Sequence, residues 1–394
     1  MTSKGGSSAP GAARPSCWAR AALVLFGLAV GLLGAEGLLR LVHPVELHPT
    51  DTFLSAAGRS PLQRGQSAAR WLRPHMVARH VQQDFDVEVR INSAGLRDRE
   101  IPHAKPAGTR RVLVLGDSFT FGYGVELDQS FVKVAQRMLG PGWEAINGGA
   151  PTWGTGDDLD FLRAEGLRYE PDLVVVGFFR NDLADNWLRG VYYVERGTLR
   201  RLPAEPAPKR HTPAASPESH LGTQDGFAES ILDRGAAHEH AASVRGPHGP
   251  VRWLTLHSHL WRLGREAASR AHQRRRRLPA PGDEVRGTQR ELAGLLLAEI
   301  ARVAAAEGAR TMVVLIPERC DMEDAEDRAV HWSDVTAPAR TAGAMVLDLA
   351  PALRRAGRTA LYFDHDPHLN AAGHAVAGRE IARAIEKLER EGGE

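Results

Sequence analysis

Four short stretches, far apart in a chain of 394 residues, hold side chains of the kinds that perform nucleophilic and acid–base chemistry. In VLVLGDSFTFGYGV at 112–125 an apolar run leads straight into Gly116-Asp117-Ser118, with a helix beginning soon after. That order places the Ser118 hydroxyl at the carboxyl end of a strand, where open parallel sheets bind ligands and the next helix aims its free N–H groups. The competing reading is a plain N-cap serine. In INGGAPTWGTGDDL at 146–159, glycine lets backbone N–H groups approach a ligand closely. In GFFRNDLADN at 177–186, Asn181 follows a third apolar run at once, as a site residue or as a turn residue beside Asp182. In DHDPHLNAAGH at 364–374, Asp364, His365, Asp366 and His368 stand just before the last helix. A metal site built from these four lacks a helical His-x-x-x-His pair and a partner cluster elsewhere, so neither metal nor cofactor is expected.

The elements that must position these residues follow from the apolar pattern. Short apolar runs at 111–116, 143–147, 172–179, 310–316 and 344–349 alternate with amphipathic stretches at 128–139, 155–168, 287–307, 327–341 and 370–390. Such alternation predicts a central parallel sheet covered by helices on both faces, a three-layer α/β/α domain of the flavodoxin-like kind. It also brings all four stretches to one edge of one sheet. Ahead of this core, 85–100 alternates and turns at Ser93-Ala94-Gly95, which predicts a hairpin or edge strand within an extension over 43–100. The alternation stops between about 195 and 286, and Pro203 to Pro250 is rich in Pro, Ala, Gly, Ser and His, so a flexible insertion is expected inside a domain running from 101 to 390. At its end, 251–277 gathers Trp253, Leu256, Leu260, Trp261 and Leu263 on one side of a helix that closes on Arg274 to Arg277. A helix docked on the domain with a solvated basic end is favoured over a membrane-surface contact.

Taken together and in order, the four stretches resemble the blocks of the SGNH hydrolases, also called the GDSL family, over about 85–194 and 287–390. The resemblance implies an α/β/α SGNH hydrolase fold and acyl-enzyme chemistry, with Ser118 as nucleophile, His368 as general base and Asp366 as the orienting acid. It implies an oxyanion hole made from the Ser118 N–H, a backbone N–H of the second stretch and the Asn181 amide. Where the family commonly has glycine, this chain has Thr152, whose N–H is the expected donor, with Gly154 as substitute. Many members space acid and base as Asp-x-x-His; here Asp366-Pro367-His368 is one shorter, so Asp364 stays a second candidate for the carboxylate. Gly116-Asp117-Ser118-Phe119-Thr120 is not the Gly-x-Ser-x-Gly elbow of α/β-hydrolases, and no Gly-x-Gly-x-x-Gly follows the first core strand.

Bulk composition sets class and not function. Fifty basic residues against 48 acidic ones leave a formal net charge of +2, which gives no ground for a nucleic-acid partner. Cys17 and Cys320 are too far apart in kind and place to be expected as a disulfide. Lys4, Arg14 and Arg20 precede the apolar run 21–35, which continues past Glu36 to Val42. Basic then apolar is an export signal, and Gly34-Ala35-Glu36 offers a poor cleavage site. The expectation is a short tail at 1–20, an uncleaved transmembrane anchor at 21–42, and a catalytic domain outside the cytoplasm. The expected function is a serine esterase acting on a small ester, such as an O-acetyl group on an extracytoplasmic carbohydrate. The alternatives are an O-acyltransferase on envelope polysaccharide and a non-catalytic glycan-binding or assembly module with the same fold.

Overall fold

A computed structural model describes residues 17–42, 72–82, 84–202, 258, 260–261, 283–322 and 330–391. Of the insertion expected at about 195–286, residues 203–257, 259 and 262–282 lie outside the described residues, and with them all of 251–277 except Ser258, Leu260 and Trp261. The chain divides into two units, residues 1–47 with 247–272 and residues 48–246 with 273–394.

In the first unit, helix α1 (Cys17–Val42) runs unbroken for 26 residues. Glu36 and Arg40, four apart in its last turns, pair at 3.0 Å and so carry the helix past the end of the purely apolar run. The stretch Leu23–Val42 has a mean hydropathy of 1.8 and is long and apolar enough to cross a membrane. Its large side chains are bare, Leu23 and Leu33 each at 73% exposure. The Glu36 carboxylate also accepts hydrogen bonds from the Ser258 hydroxyl at 2.9 Å and from the Leu260 N–H at 3.0 Å.

The second unit is built on five parallel strands: β3 (Arg110–Gly116), β4 (Trp143–Asn147), β5 (Leu173–Phe178), β8 (Arg310–Leu315) and β9 (Met345–Asp348). Their spatial order β4-β3-β5-β8-β9 is the expected flavodoxin-like order, with the reversal of direction between β3 and its neighbours β4 and β5. Register puts Leu113 beside Ile146 and Val174, and Val176 beside Val313. Because successive side chains face opposite ways, each strand feeds two cores. Leu113, Leu115, Val174, Val176 and Val313 pack under α4 (Thr155–Ala164), α6 (Asp283–Ala306) and α7 (Val330–Thr341). Val112, Val114, Val175, Met312 and Val314 pack under α3 (Phe131–Leu139), α8 (Ala350–Ala356) and α9 (Ala371–Glu391). Burial on both faces is why the strands read as continuous apolar runs.

Three features differ from the expectation. The hairpin pairs β1 (Val77–Val81) with β2 (Asp86–Arg90), so the chain reverses between Val81 and Asp86 and not at Ser93–Gly95. The latter is a separate turn, in which the Asn92 carboxamide oxygen accepts from the N–H groups of Ala94 and Leu96. A short helix α5 (Asn181–Arg189) follows β5 after two residues; Asp182 and Asn186 are its buried residues, and although Leu183, Ala184, Trp187 and Leu188 recur at helical spacing, nine residues are fewer than an apolar pattern needs to mark a helix by itself. A second hairpin, β6 (Tyr192–Glu195) with β7 (Thr198–Arg201), occupies the start of the expected insertion.

Candidate active site

Strand β3 ends where only glycine fits. A Cβ on Gly116, whose φ is 141°, would stand 2.4 Å from Thr120 Oγ1 and 2.6 Å from the Gly177 carbonyl oxygen. The chain turns there into α2 (Ser118–Phe121), whose N-cap is Asp117, with Oδ1 accepting from the Phe119 N–H at 2.9 Å. The cap is therefore the aspartate, and Ser118 is not the N-cap serine of the rival reading. Its Oγ lies 2.7 Å from His368 Nε2.

His368 is held from behind. Asp366 Oδ1 accepts from His368 Nδ1 at 2.6 Å and from the His368 backbone N–H at 2.9 Å. The second bond needs the carboxylate two residues upstream, which is how the short Asp-x-His spacing still brings acid and ring together. In the matching tautomer Nδ1 carries the proton and Nε2 accepts from the serine. Asp366 is only 6% exposed. Burial pushes its carboxyl up, but the hydrogen bonds and charge of His368 outweigh burial and hold it below the usual carboxylate range. Asp364 is exposed, and its backbone carbonyl accepts from Arg319, so the geometry joins Asp366 and not Asp364 to the ring. The ring itself stacks on Tyr123 at 4.3 Å between centroids and leans on Phe119 at 4.6 Å.

The second and third stretches flank the serine turn. Ala150 N–H donates to the Gly116 carbonyl at 3.0 Å, and a Cβ on Gly149 would stand 2.4 Å from the Phe121 nitrogen, so this loop is pressed against α2. Thr152 has φ 71°, the left-handed region that favours glycine and that a β-branched residue enters at a cost. Gly154 instead caps α4, its N–H donating to Asp157 Oδ2 at 3.0 Å. Asn181 is the first residue of α5 and lies close enough to the Asp117 carboxylate to hold its value down, with its own Oδ1 buried without a hydrogen-bond partner.

Behind these loops lies a group of carboxyls that the sequence analysis did not weigh. Asp117, Asp158 and Asp182 are each at most 1% exposed, and each keeps one oxygen without a hydrogen-bond partner. Burial raises Asp117 to about 6 and Asp185 to about 7, while burial and mutual repulsion push Asp158 and Asp182 well up. The signal for them was present in GDDL and NDLAD, where acids stand in the first turn of two helices that start at the sheet edge. His374, by contrast, is buried in α9, accepts from the Phe131 N–H at 3.1 Å and is driven down to about 3 by burial.

With this geometry in place, comparison with known proteins adds one finding. Residues 280–394, the segment that carries Asp366 and His368, match the family described as SGNH hydrolase-like domain, acetyltransferase AlgX. The chain carries an SGNH hydrolase-like domain. Solved structures with similar folds include a G-D-S-L family lipolytic protein from Desulfitobacterium hafniense, at 13% identity over 70% of this chain and 99% of that one, with a TM-score of 0.33. The esterase EstA from Pseudoalteromonas sp. is 14% identical over 71% of this chain and 99% of its own, with a TM-score of 0.37. The acetyl xylan esterase AlAXEase is 12% identical over 70% of this chain and 99% of its own, also at 0.37. No curated protein matches the chain. The SGNH domain's parallel sheet and flanking helices are those expected from the sequence.

Proposed function

We propose that this chain is a serine-dependent acyl-ester enzyme in which Ser118 attacks the ester carbonyl, His368 takes its proton and Asp366 orients and stabilises the imidazolium. The single observation that carries the reading is the unbroken line of hydrogen bonds from Ser118 Oγ to His368 Nε2 at 2.7 Å and from His368 Nδ1 to Asp366 at 2.6 Å. The oxyanion formed on attack is met by the N–H groups of Ser118 and Thr152 and by the Asn181 amide. His368 then protonates the leaving alcohol, and the acyl group stays on Ser118 Oγ. A water molecule, deprotonated by the same ring, releases it as a free acid.

The acyl group is small, acetyl in the leading case, and its carrier is a carbohydrate outside the cytoplasm. Support for acetyl comes from the family description, which names an acetyltransferase. The same match favours a second reading, in which a sugar hydroxyl replaces water as acceptor. Placement outside the cytoplasm is supported by the Leu23–Val42 helix with Lys4, Arg14 and Arg20 before it, the order in which basic residues stay inside.

A fluorophosphonate probe tests the core of this reading, since it forms a covalent adduct only with an activated serine. The native protein is expected to take the label and Ser118→Ala to lose it; an unlabelled native protein would mean a binding or assembly module. Incubation with p-nitrophenyl acetate, with and without an oligosaccharide, then separates the acceptors. Free acetate in both cases means hydrolysis, and acetylated oligosaccharide means transfer.

A further inference from the structure

The loop that brings His368 to Ser118 is gripped from outside the α/β core. In the bend between β1 and β2, Asp84 takes both nitrogens that His365 offers: the backbone N–H donates to Oδ2 at 2.7 Å and Nδ1 lies 2.7 Å from Oδ1. Asp84 is nearly enclosed, its side chain 11% exposed, whereas the His365 ring is 58% exposed. The carboxylate is therefore set in the hairpin and reaches out to the loop. Three residues beyond His365 stands the ring that receives the serine proton.

A second contact runs from the same hairpin to the same ring. His80 on β1 and Phe85 in the bend meet Tyr123 edge-on, at 4.4 Å and 5.6 Å between centroids, and Tyr123 stacks flat on His368 at 4.3 Å. Phe85 also touches Phe363, at the start of the loop, at 5.1 Å. The fit is close: a Cβ on Gly124 would stand 2.7 Å from the Phe363 ring and 2.8 Å from that of Phe85. On the opposite side, Arg319 donates to the carbonyls of Phe363 and Asp364 at 2.7 Å and 3.0 Å. The loop is thus held both from the β8 side of the core and from the hairpin.

We propose that the β1–β2 hairpin is part of the reaction site, with Asp84 as a positioning residue that sets the His368 ring through His365. The proposal rests on the reading of His368 as the general base, and it adds a segment that lies some 280 residues before that base in the chain. It also accounts for the extension ahead of the core: a small antiparallel hairpin has little stability by itself, and this one gains its packing by closing over Tyr123, Phe363 and the base loop.

The test compares Asp84→Ala, Asp84→Asn and His365→Ala in the full-length protein, by two readouts. One is the rate of fluorophosphonate labelling of Ser118. The other is the low-field proton resonance of His368 Nδ1–H, which reports the bond to Asp366 whether or not the serine reacts. Asp84→Ala is expected to slow labelling about tenfold, because sub-ångström misplacement of a catalytic group is costly, and to shift or broaden the resonance. Asp84→Asn keeps an oxygen to accept from the His365 N–H and should recover most of the rate. His365→Ala, at an exposed ring, cannot disturb the core and should give a smaller loss in the same direction. Adding it to Asp84→Ala should cost nothing further. An unchanged resonance and rate in both alanine variants would overturn the proposal. Should the native protein take no label, the catalytic reading falls, and the resonance alone still decides whether Asp84 sets the ring.

Discussion

Replacing Asp366 with asparagine isolates the charge behind the base while keeping its shape. The carboxylate and the His368 ring meet at 2.6 Å, and the aspartate side chain is 5% exposed. When the ring takes the serine proton, two opposite charges stand with centres about 4 Å apart, worth about 4 kcal/mol at an effective dielectric of about 20. A neutral carboxamide in that place would supply none of this, so acylation should slow about a thousandfold. The matched control is Asp364→Asn, whose exposed side chain should leave the rate within about threefold. Single-turnover release of p-nitrophenol from the acetyl ester reads acylation directly, and thermal unfolding of each variant checks that the fold is intact. An Asp366→Asn protein within tenfold of the native rate, or an Asp364→Asn protein equally impaired, would refute the assignment of the orienting acid. The pH dependence has a defined sign as well. With its folded value held below the unfolded one of about 3.9, Asp366 contributes stability that is present above pH 4 and is lost as pH falls through the lower folded value.

Four further outcomes are expected. Asn181→Ala should lower turnover by an amount equivalent to about 3 kcal/mol, the usual cost of one oxyanion donor, with KM changing little; unchanged turnover would remove Asn181 from the site. Thr152→Gly relieves a strained φ of 71° and should keep activity within about threefold at equal or higher melting temperature, because strain of roughly 1 kcal/mol offsets the added freedom of the unfolded chain. Thr152→Pro removes the N–H and, with its ring fixing φ at about −65°, also cannot hold the 71° backbone, so it should lose at least about a hundredfold; equal kinetics for the two variants would exclude the Thr152 N–H as a donor. His374, held neutral down to about pH 3, contributes stability that is whole above about 6.5 and is lost as pH falls toward 3, so His374→Gln should flatten the acid side of a plot of denaturation midpoint against pH.

The central strands were legible because doubly buried strands are apolar without interruption, and the runs ending in Gly116 and Phe178 needed no tertiary information to be seen. Ser118 and His368 could be placed near one another for a related reason, since one follows a strand and the other precedes a helix whose near end lies at the same edge. What the sequence hid were contacts between segments. Nothing in VARHV marks it as the partner of DVEVR, because an edge hairpin of mixed polarity leaves no strict period. The choice between Asp364 and Asp366 depends on which way a tight turn points, and only the bond from Asp366 to the His368 N–H decides it. Helix α5 escaped notice because it is only nine residues long, too short for its apolar face to stand out.

The buried acids behind the site loops bear on how the site can tolerate an oxyanion. A negative charge developing beside Ser118 would be opposed by ionised carboxylates at Asp117, Asp158, Asp182 and Asp185, and four such charges out of water are prohibitively costly together. Burial raises all four, and repulsion from neighbouring carboxylates adds to it at Asp158, Asp182 and Asp185, so the group stays largely protonated through mildly acid pH. Asp117, at about 6, and Asp185, at about 7, should be the members to ionise within the working range, and Asp185 is the one whose titration can be tested away from the serine turn. Because its folded value lies above the unfolded one, its contribution to stability is whole below about pH 4 and lost as pH rises through 7. Asp185→Asn should therefore match the native protein near pH 4 and exceed its stability by roughly 1–3 kcal/mol at pH 8. If the alkaline fall in turnover also comes from this group, the same variant should move that limb to higher pH. Chemical denaturation and turnover measured from pH 4 to 9 on both proteins decide it, and stability curves that run parallel would show that the Asp185 carboxyl is not titrating where its surroundings place it.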